Sequence, residues 1–146
     1  MLKIYKKIDK SLFPVKLWLD MLVDPVCKVI DRSGSSILDV GCGQGYPMRL
    51  IRMVLKPDYV VGVDLFEKYI SQARRSKLHD KYVLSDIRKM KFPARSFDIV
   101  IASHVIEHLP PHDATKFIKD LERIAKKQVI IATPIGEMYH PAVDGN

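Results

Sequence analysis

The sequence predicts an α/β fold, a doubly wound, mostly parallel five-stranded sheet of order 3-2-1-4-5 with helices on both faces. Three observations point there. Short strand-like runs alternate with helical patterns through residues 33–135, as parallel strands joined by crossover helices do. The strand candidates are almost continuously apolar, which suits strands covered on both faces. A glycine-rich turn follows the first strand and an acidic residue closes the second, an arrangement that belongs at the switch point of such a sheet. The 146 residues fit one domain, with a helical segment over 1–32, the core over 33–135 and a tail over 136–146.

The elements follow in order. Residues 14–32 read as helix, with Val15, Trp18, Met21 and Leu22 at helical spacing, and Pro25 breaks it near Asp24. Ser33-Gly34-Ser35 stops it. Ile37 to Val40 is a buried strand, Gly41-Cys42-Gly43-Gln44-Gly45 a turn, and Pro47 to Leu55 a helix that tolerates proline in its first turn. Tyr59 to Asp64 is the second strand. Phe66, Tyr69, Ile70 and Ala73 mark the second helix of this core at i, i+3, i+4 and i+7. Lys81 to Leu84 is a short third strand, and Phe97 to Ala102 the fourth. After Pro110-Pro111 a helix places Ala114, Phe117, Ile118, Leu121, Ile124 and Ala125 on one face. Gln128 to Ala132 is the fifth strand.

Composition excludes several classes. No apolar run approaches the roughly 18 residues of a membrane span, and the Lys-rich start has no apolar stretch of a secretory signal. Cys27 and Cys42 lie far apart and in no metal-ligand spacing, which suits a reducing cytoplasm. The formal net charge is +7, and residues 66–96 hold nine Lys/Arg against three acids. A nucleic-acid partner is one reading of that stretch and a solvated surface the favoured one.

The chemistry concentrates after strand 1. Glycines in Asp39-Val40-Gly41-Cys42-Gly43-Gln44-Gly45 let the backbone turn tightly and approach a ligand. Asp64, nineteen residues beyond Gly45, can accept from both hydroxyls of a ribose, so the pair reads as a site for an adenosine-containing ligand. A dinucleotide turn has the spacing G-x-G-x-x-G. Here the third glycine arrives one residue early and Tyr46 takes its place, which disfavours a nicotinamide dehydrogenase. Asp39 would face a pyrophosphate unfavourably, whereas it would attract a ligand carrying ammonium and sulfonium charges. Taken singly, Asp64 also reads as an N-cap and Asp86 as a turn residue.

ILDVGCGQG (37–45) resembles the first motif of class I S-adenosylmethionine-dependent methyltransferases, and VVGVDLFEKYI (60–70) resembles their second. SDIRKMKFPARSFDIVIASHVIEHL (85–109) is similar to their third and fourth. The resemblance covers roughly residues 30–135, and it implies S-adenosylmethionine as cofactor and methyl transfer as activity. It places Asp39, Gly41, Cys42 and Gly43 near the methionine part of the cofactor, Asp64 on the ribose hydroxyls and Leu65 by the adenine. It gives Asp86 the adenine amino group, the Ile87 N–H a ring nitrogen, and Ser103 the methionine end. No catalytic residue follows from it.

Were Ser103 to His108 helical, His104, Glu107 and His108 would share a face at i, i+3 and i+4, a spacing able to hold a divalent metal. Some methyltransferases acting on quinone precursors or on RNA ends use a similar patch with Glu at the first position, where this chain has His104. His104 as a general base for a hydroxyl or amine acceptor is the other reading. Family members usually continue past strand 5 with a helix and an antiparallel hairpin, for which the fourteen residues after Ala132 leave no room. The expectation is therefore a truncated or naturally reduced relative. Its fifth strand would be an open edge on which two copies could pair. Two functions stand: a methyltransferase acting on an unidentified acceptor, a small molecule in preference to RNA, or a cofactor-binding fragment or subunit that relies on a partner for the acceptor site.

Overall fold

The computed structural model describes residues 35–133, so the helix expected over 14–32 and the tail over 136–146 lie outside the described residues. Five strands form one sheet of order β3-β2-β1-β4-β5. They are β1 (Ser36–Val40), β2 (Tyr59–Asp64), β3 (Lys81–Leu84), β4 (Phe97–Ser103) and β5 (Ala125–Ala132). Every pairing among them is parallel. Helix α1 (Tyr46–Val54) links β1 to β2, α2 (Glu67–Ser76) links β2 to β3, and α3 (Pro111–Ile124) links β4 to β5. The strand order matches the one predicted.

Register decides which side chains meet. Ile37 lies beside Val60 and Ile99, while Leu38 lies beside Val61 and Val100. Successive residues of a strand face opposite ways, so the two rows feed two cores. The first row packs with Met48, Leu50 and Ile51 of α1. The second packs with Phe117, Leu121 and Ile124 of α3. Both faces are thus covered, which is why the strands read as continuous apolar runs. Helix α2 joins the α1 side: Tyr82 pairs with Gly62 on that face, and its hydroxyl donates to the Ala73 carbonyl at 2.8 Å.

One boundary differs from expectation. Ala125 sits at helical spacing from Leu121, yet it is the first residue of β5, in extended backbone (φ −73°, ψ 141°) and paired with Phe97. The Ser96 N–H donates to the Ile124 carbonyl and the Arg95 N–H to that of Arg123, so the approach of β4 ends the helix. Helix and strand join without a loop, and the pairing slips between Phe97 and Ile99 to accommodate it.

Candidate functional site at the carboxyl ends of the strands

The turn after β1 is built on positive φ at Gly41 (70°), Gly43 (50°) and Gly45 (87°). At Gly41 a Cβ would run into Val105 Cγ2, so the segment after β4 packs directly on the turn. At Gly43 a Cβ would meet nothing within 4 Å, leaving open space over the turn on that side.

The hydrogen bonds of the turn are spent internally. The N–H groups of Gly41 and Cys42 both donate to the Val63 carbonyl (2.8 and 2.9 Å), and that of Gly45 donates to the Cys42 carbonyl (2.8 Å). The Gly43 N–H donates to Asp64 Oδ2 at 2.8 Å. Pro47 removes a further donor from the first turn of α1. A phosphate-binding turn presents its N–H groups outward; this one commits three of those four to the end of β2 and the fourth to its own Cys42 carbonyl.

Asp64, closing β2, is buried but keeps binding capacity. Oδ2 holds Gly43, and Oδ1 accepts from the Phe66 N–H at 3.0 Å. Each carboxylate oxygen has two acceptor positions, so one remains on each for a pair of vicinal hydroxyls. Leu65 beside it is half exposed and offers an apolar surface. At the end of β4 the buried Ser103 hydroxyl has no hydrogen-bond partner among the described residues. Such an orphan calls for an external partner. Together these residues fit a ribose-bearing ligand with an amino-acid arm.

Beyond β3, Asp86 caps the single 3₁₀ turn Ile87–Lys89 by accepting from the Arg88 N–H at 2.9 Å. The Arg88 guanidinium also grips both its oxygens at 2.6 to 3.1 Å, which holds the carboxyl below its usual range. Any further donor that reaches Asp86 would share it with Arg88. Ile87 opens the 3₁₀ turn, where an N–H has no partner within the turn.

Asp39 and Cys42 point inward. The Asp39 carboxylate is 1% exposed and lies 2.8 Å from His79 Nε2. The sequence points Asp39 toward the ligand charge and carries no mark of His79 beyond Gly62, whose isolation in an apolar strand signals a close approach there. Burial pushes the Cys42 thiol well up, and the charges of Asp39 and Asp64 push it further. Asp39 and Asp64 thus place two negative groups about one turn whose donors are used.

His104 does not lie in a helix. Its φ is 54°, and only Ile106–His108 form a 3₁₀ turn, so the shared face expected for His104, Glu107 and His108 does not form. The described residues contain no group of three His, Cys, Asp or Glu side chains arranged to hold a metal. Instead His104 Nδ1 lies 3.2 Å from Glu107 Oε1, and Glu107 Oε2 accepts from the Thr133 hydroxyl at 3.2 Å.

The family described as "Methyltransferase domain" matches residues 38–133. The chain is 27% identical over 110 residues to a protein of Mycobacterium tuberculosis described as a probable S-adenosylmethionine-dependent methyltransferase, covering 74% of this chain and 39% of the relative. It is 29% identical over 135 residues to the ubiquinone biosynthesis O-methyltransferase of Coxiella burnetii, covering 86% and 53%. The solved PH0226 protein of Pyrococcus horikoshii superposes with a TM-score of 0.66 at 26% identity, over 87% of this chain and 57% of that one. The chain thus spans about two fifths to a little over half the length of these relatives.

Proposed function

This chain belongs to the methyltransferase-domain family, and from that premise we propose that it binds S-adenosylmethionine across the carboxyl ends of β1 to β4 and passes the methyl group to a small-molecule acceptor. The observation that carries the cofactor is the spent turn. With the N–H groups of Gly41, Cys42, Gly43 and Gly45 committed to the end of β2 and to the Cys42 carbonyl, and Asp39 and Asp64 close by, the turn repels a pyrophosphate and suits a cationic ligand. When bound, the cofactor supplies an electrophilic methyl on a positively charged sulfur, whose bond breaks toward sulfur as the acceptor's lone pair attacks. The chain's own task is then alignment and exclusion of water. In this reading Asp64 takes the ribose hydroxyls and Leu65 packs near the adenine. Asp86 and the Ile87 N–H read the adenine edge. Gly41 and Gly43 let the methionine arm approach, and the Ser103 hydroxyl finds its partner there. The names of the relatives, one of them an O-methyltransferase of ubiquinone biosynthesis, support a small-molecule acceptor.

Calorimetric titration tests this. S-adenosylmethionine should bind saturably and NAD should not. Asp64→Ala should weaken the binding by about a hundredfold or more, the scale of two lost hydrogen bonds to a charged group. A folded chain that ignores S-adenosylmethionine, or prefers NAD, would refute the reading.

Two finer points belong to the same proposal. No helix among the described residues is long and apolar enough to cross a membrane, and with the two widely spaced cysteines this supports a cytoplasmic protein. β5 lies at the edge of the five strands, which supports self-pairing of two copies along it. A clean monomer by light scattering at working concentration would remove that second point.

A further inference from the structure

Beneath the glycine turn a buried imidazole and a buried carboxylate face each other. His79 Nε2 and Asp39 Oδ2 are 2.8 Å apart, with side chains 0% and 1% exposed. A carboxylate only accepts, so Nε2 donates. Such a pair is weak evidence of added stability, because desolvating it offsets most of the attraction. Yet the surrounding chain is arranged to deliver it. The loop carrying His79 is clamped by Arg52 of α1, whose Nε donates to the Leu78 carbonyl at 2.6 Å and whose Nη2 donates to Asp80 Oδ2 at 2.8 Å. Asp80 Oδ2 also accepts from the Val60 N–H at 2.7 Å. The Tyr82 hydroxyl lies 3.2 Å from the His79 N–H, which donates to it, and the two rings meet edge to face at 5.2 Å.

The ring has its space because Gly62 leaves it, and it borders Gly45. A Cβ at Gly62 would come within 2.8 Å of His79 Cδ2, and one at Gly45 within 3.4 Å of its Cε1. The imidazole therefore lies against the end of the turn, at Gly45, while holding Asp39, which precedes it. His79 Nδ1 is buried without a partner among the described residues, so the ring is committed to Asp39 alone.

We propose that His79 is a positioning residue of the cofactor site: by fixing the Asp39 carboxylate and backing Gly45, it holds the Gly41–Gly45 turn in its ligand-ready shape and keeps a negative charge in place beneath it. This rests on the reading that the turn binds S-adenosylmethionine, and the test separates the two. Calorimetry with S-adenosylmethionine is run on wild type, His79→Leu and His79→Gln, with thermal unfolding of each. Gln places an amide donor near the position of Nε2 and should bind within about twofold of wild type. Leu should bind about tenfold more weakly or worse, the scale at which loss of an orienting partner shows at metal ligands. Should His79→Leu fail to fold because Asp39 is left unpaired, the double variant His79→Leu, Asp39→Val removes that charge and is measured in its place, with the same weakening expected. A folded Leu variant, single or double, with wild-type affinity and only a lower melting temperature would overturn the inference, as would a Gln variant as weak as Leu. Wild type that fails to bind S-adenosylmethionine at all would overturn the underlying cofactor reading as well.

Discussion

Gly41 and Gly43 both carry positive φ, yet they answer to different constraints. Adding a Cβ costs roughly 1–2 kcal/mol of left-handed strain at either. At Gly41 it also meets Val105, whereas at Gly43 it enters open space. Gly41→Ala should therefore lower the denaturant midpoint more than Gly43→Ala, while Gly43→Ala should weaken S-adenosylmethionine by more than its stability loss accounts for. Equal effects of the two on both quantities would contradict this. The buried Cys42 thiol, held protonated by burial and by Asp39 and Asp64, should resist iodoacetamide at pH 8 in the folded chain and react once unfolded, as peptide mass spectrometry would show. Much of the residue scale was legible. Asp64 and the glycines announce themselves because a turn, a strand end and a ribose impose spacing on them. His79 does not, since its role comes from a fold that brings residues 39 and 79 together, and no local pattern encodes a pairing forty residues apart. Arg88 is hidden for a related reason: within a basic stretch nothing local marks its bidentate grip on Asp86 or its pairing with Asp113.

Elements were legible in proportion to how much local physics sets them. Tyr59–Asp64 and Lys81–Leu84 fall where their apolar runs predict. The start of β5 does not, because Ala125 satisfies the helical period and only the hydrogen bonds near β4 decide against it. The same scale holds a tie between Ser36, which opens β1, and Asp98, the second residue of β4. Burial alone would raise the Asp98 carboxyl. The backbone N–H and hydroxyl of Ser36, with Lys127 nearby, outweigh it and bring the value down to about 2. A carboxyl depressed on folding stabilises the chain above its unfolded value and loses that contribution as pH falls through its folded one. Stability of roughly 2 kcal/mol should therefore fade between about pH 4 and pH 2. In urea titrations across that range Asp98→Asn should show a shallower decline than wild type, and an unchanged decline would contradict the assignment. On α3, Leu121 is fully buried, and Leu121→Ala should cost about 2–5 kcal/mol, read as a lowered urea midpoint.

At the scale of the whole molecule, strand order was legible because connections obey few rules. Right-handed crossovers and an apolar strand after each helix leave the doubly wound order as the natural arrangement, and the parallel sheet β3-β2-β1-β4-β5 follows it. The same rule placed the site before any side chain was known, at the carboxyl ends beside β1. What spacing did not reveal is the inward economy of that site: a turn whose donors are committed to β2 and to itself, a serine without a partner among the described residues, and an aspartate held from behind. These features favour a cationic ribose-bearing cofactor over a dinucleotide.

Amide chemical-shift mapping of the chain with S-adenosylmethionine tests that claim most directly. Shifts should concentrate at Gly41–Gly45, Asp64–Phe66, Asp86–Arg88 and Ser103–Val105, four segments far apart in sequence and joined by the sheet. A saturating titration that leaves these amides unmoved, or moves a different surface, would contradict it.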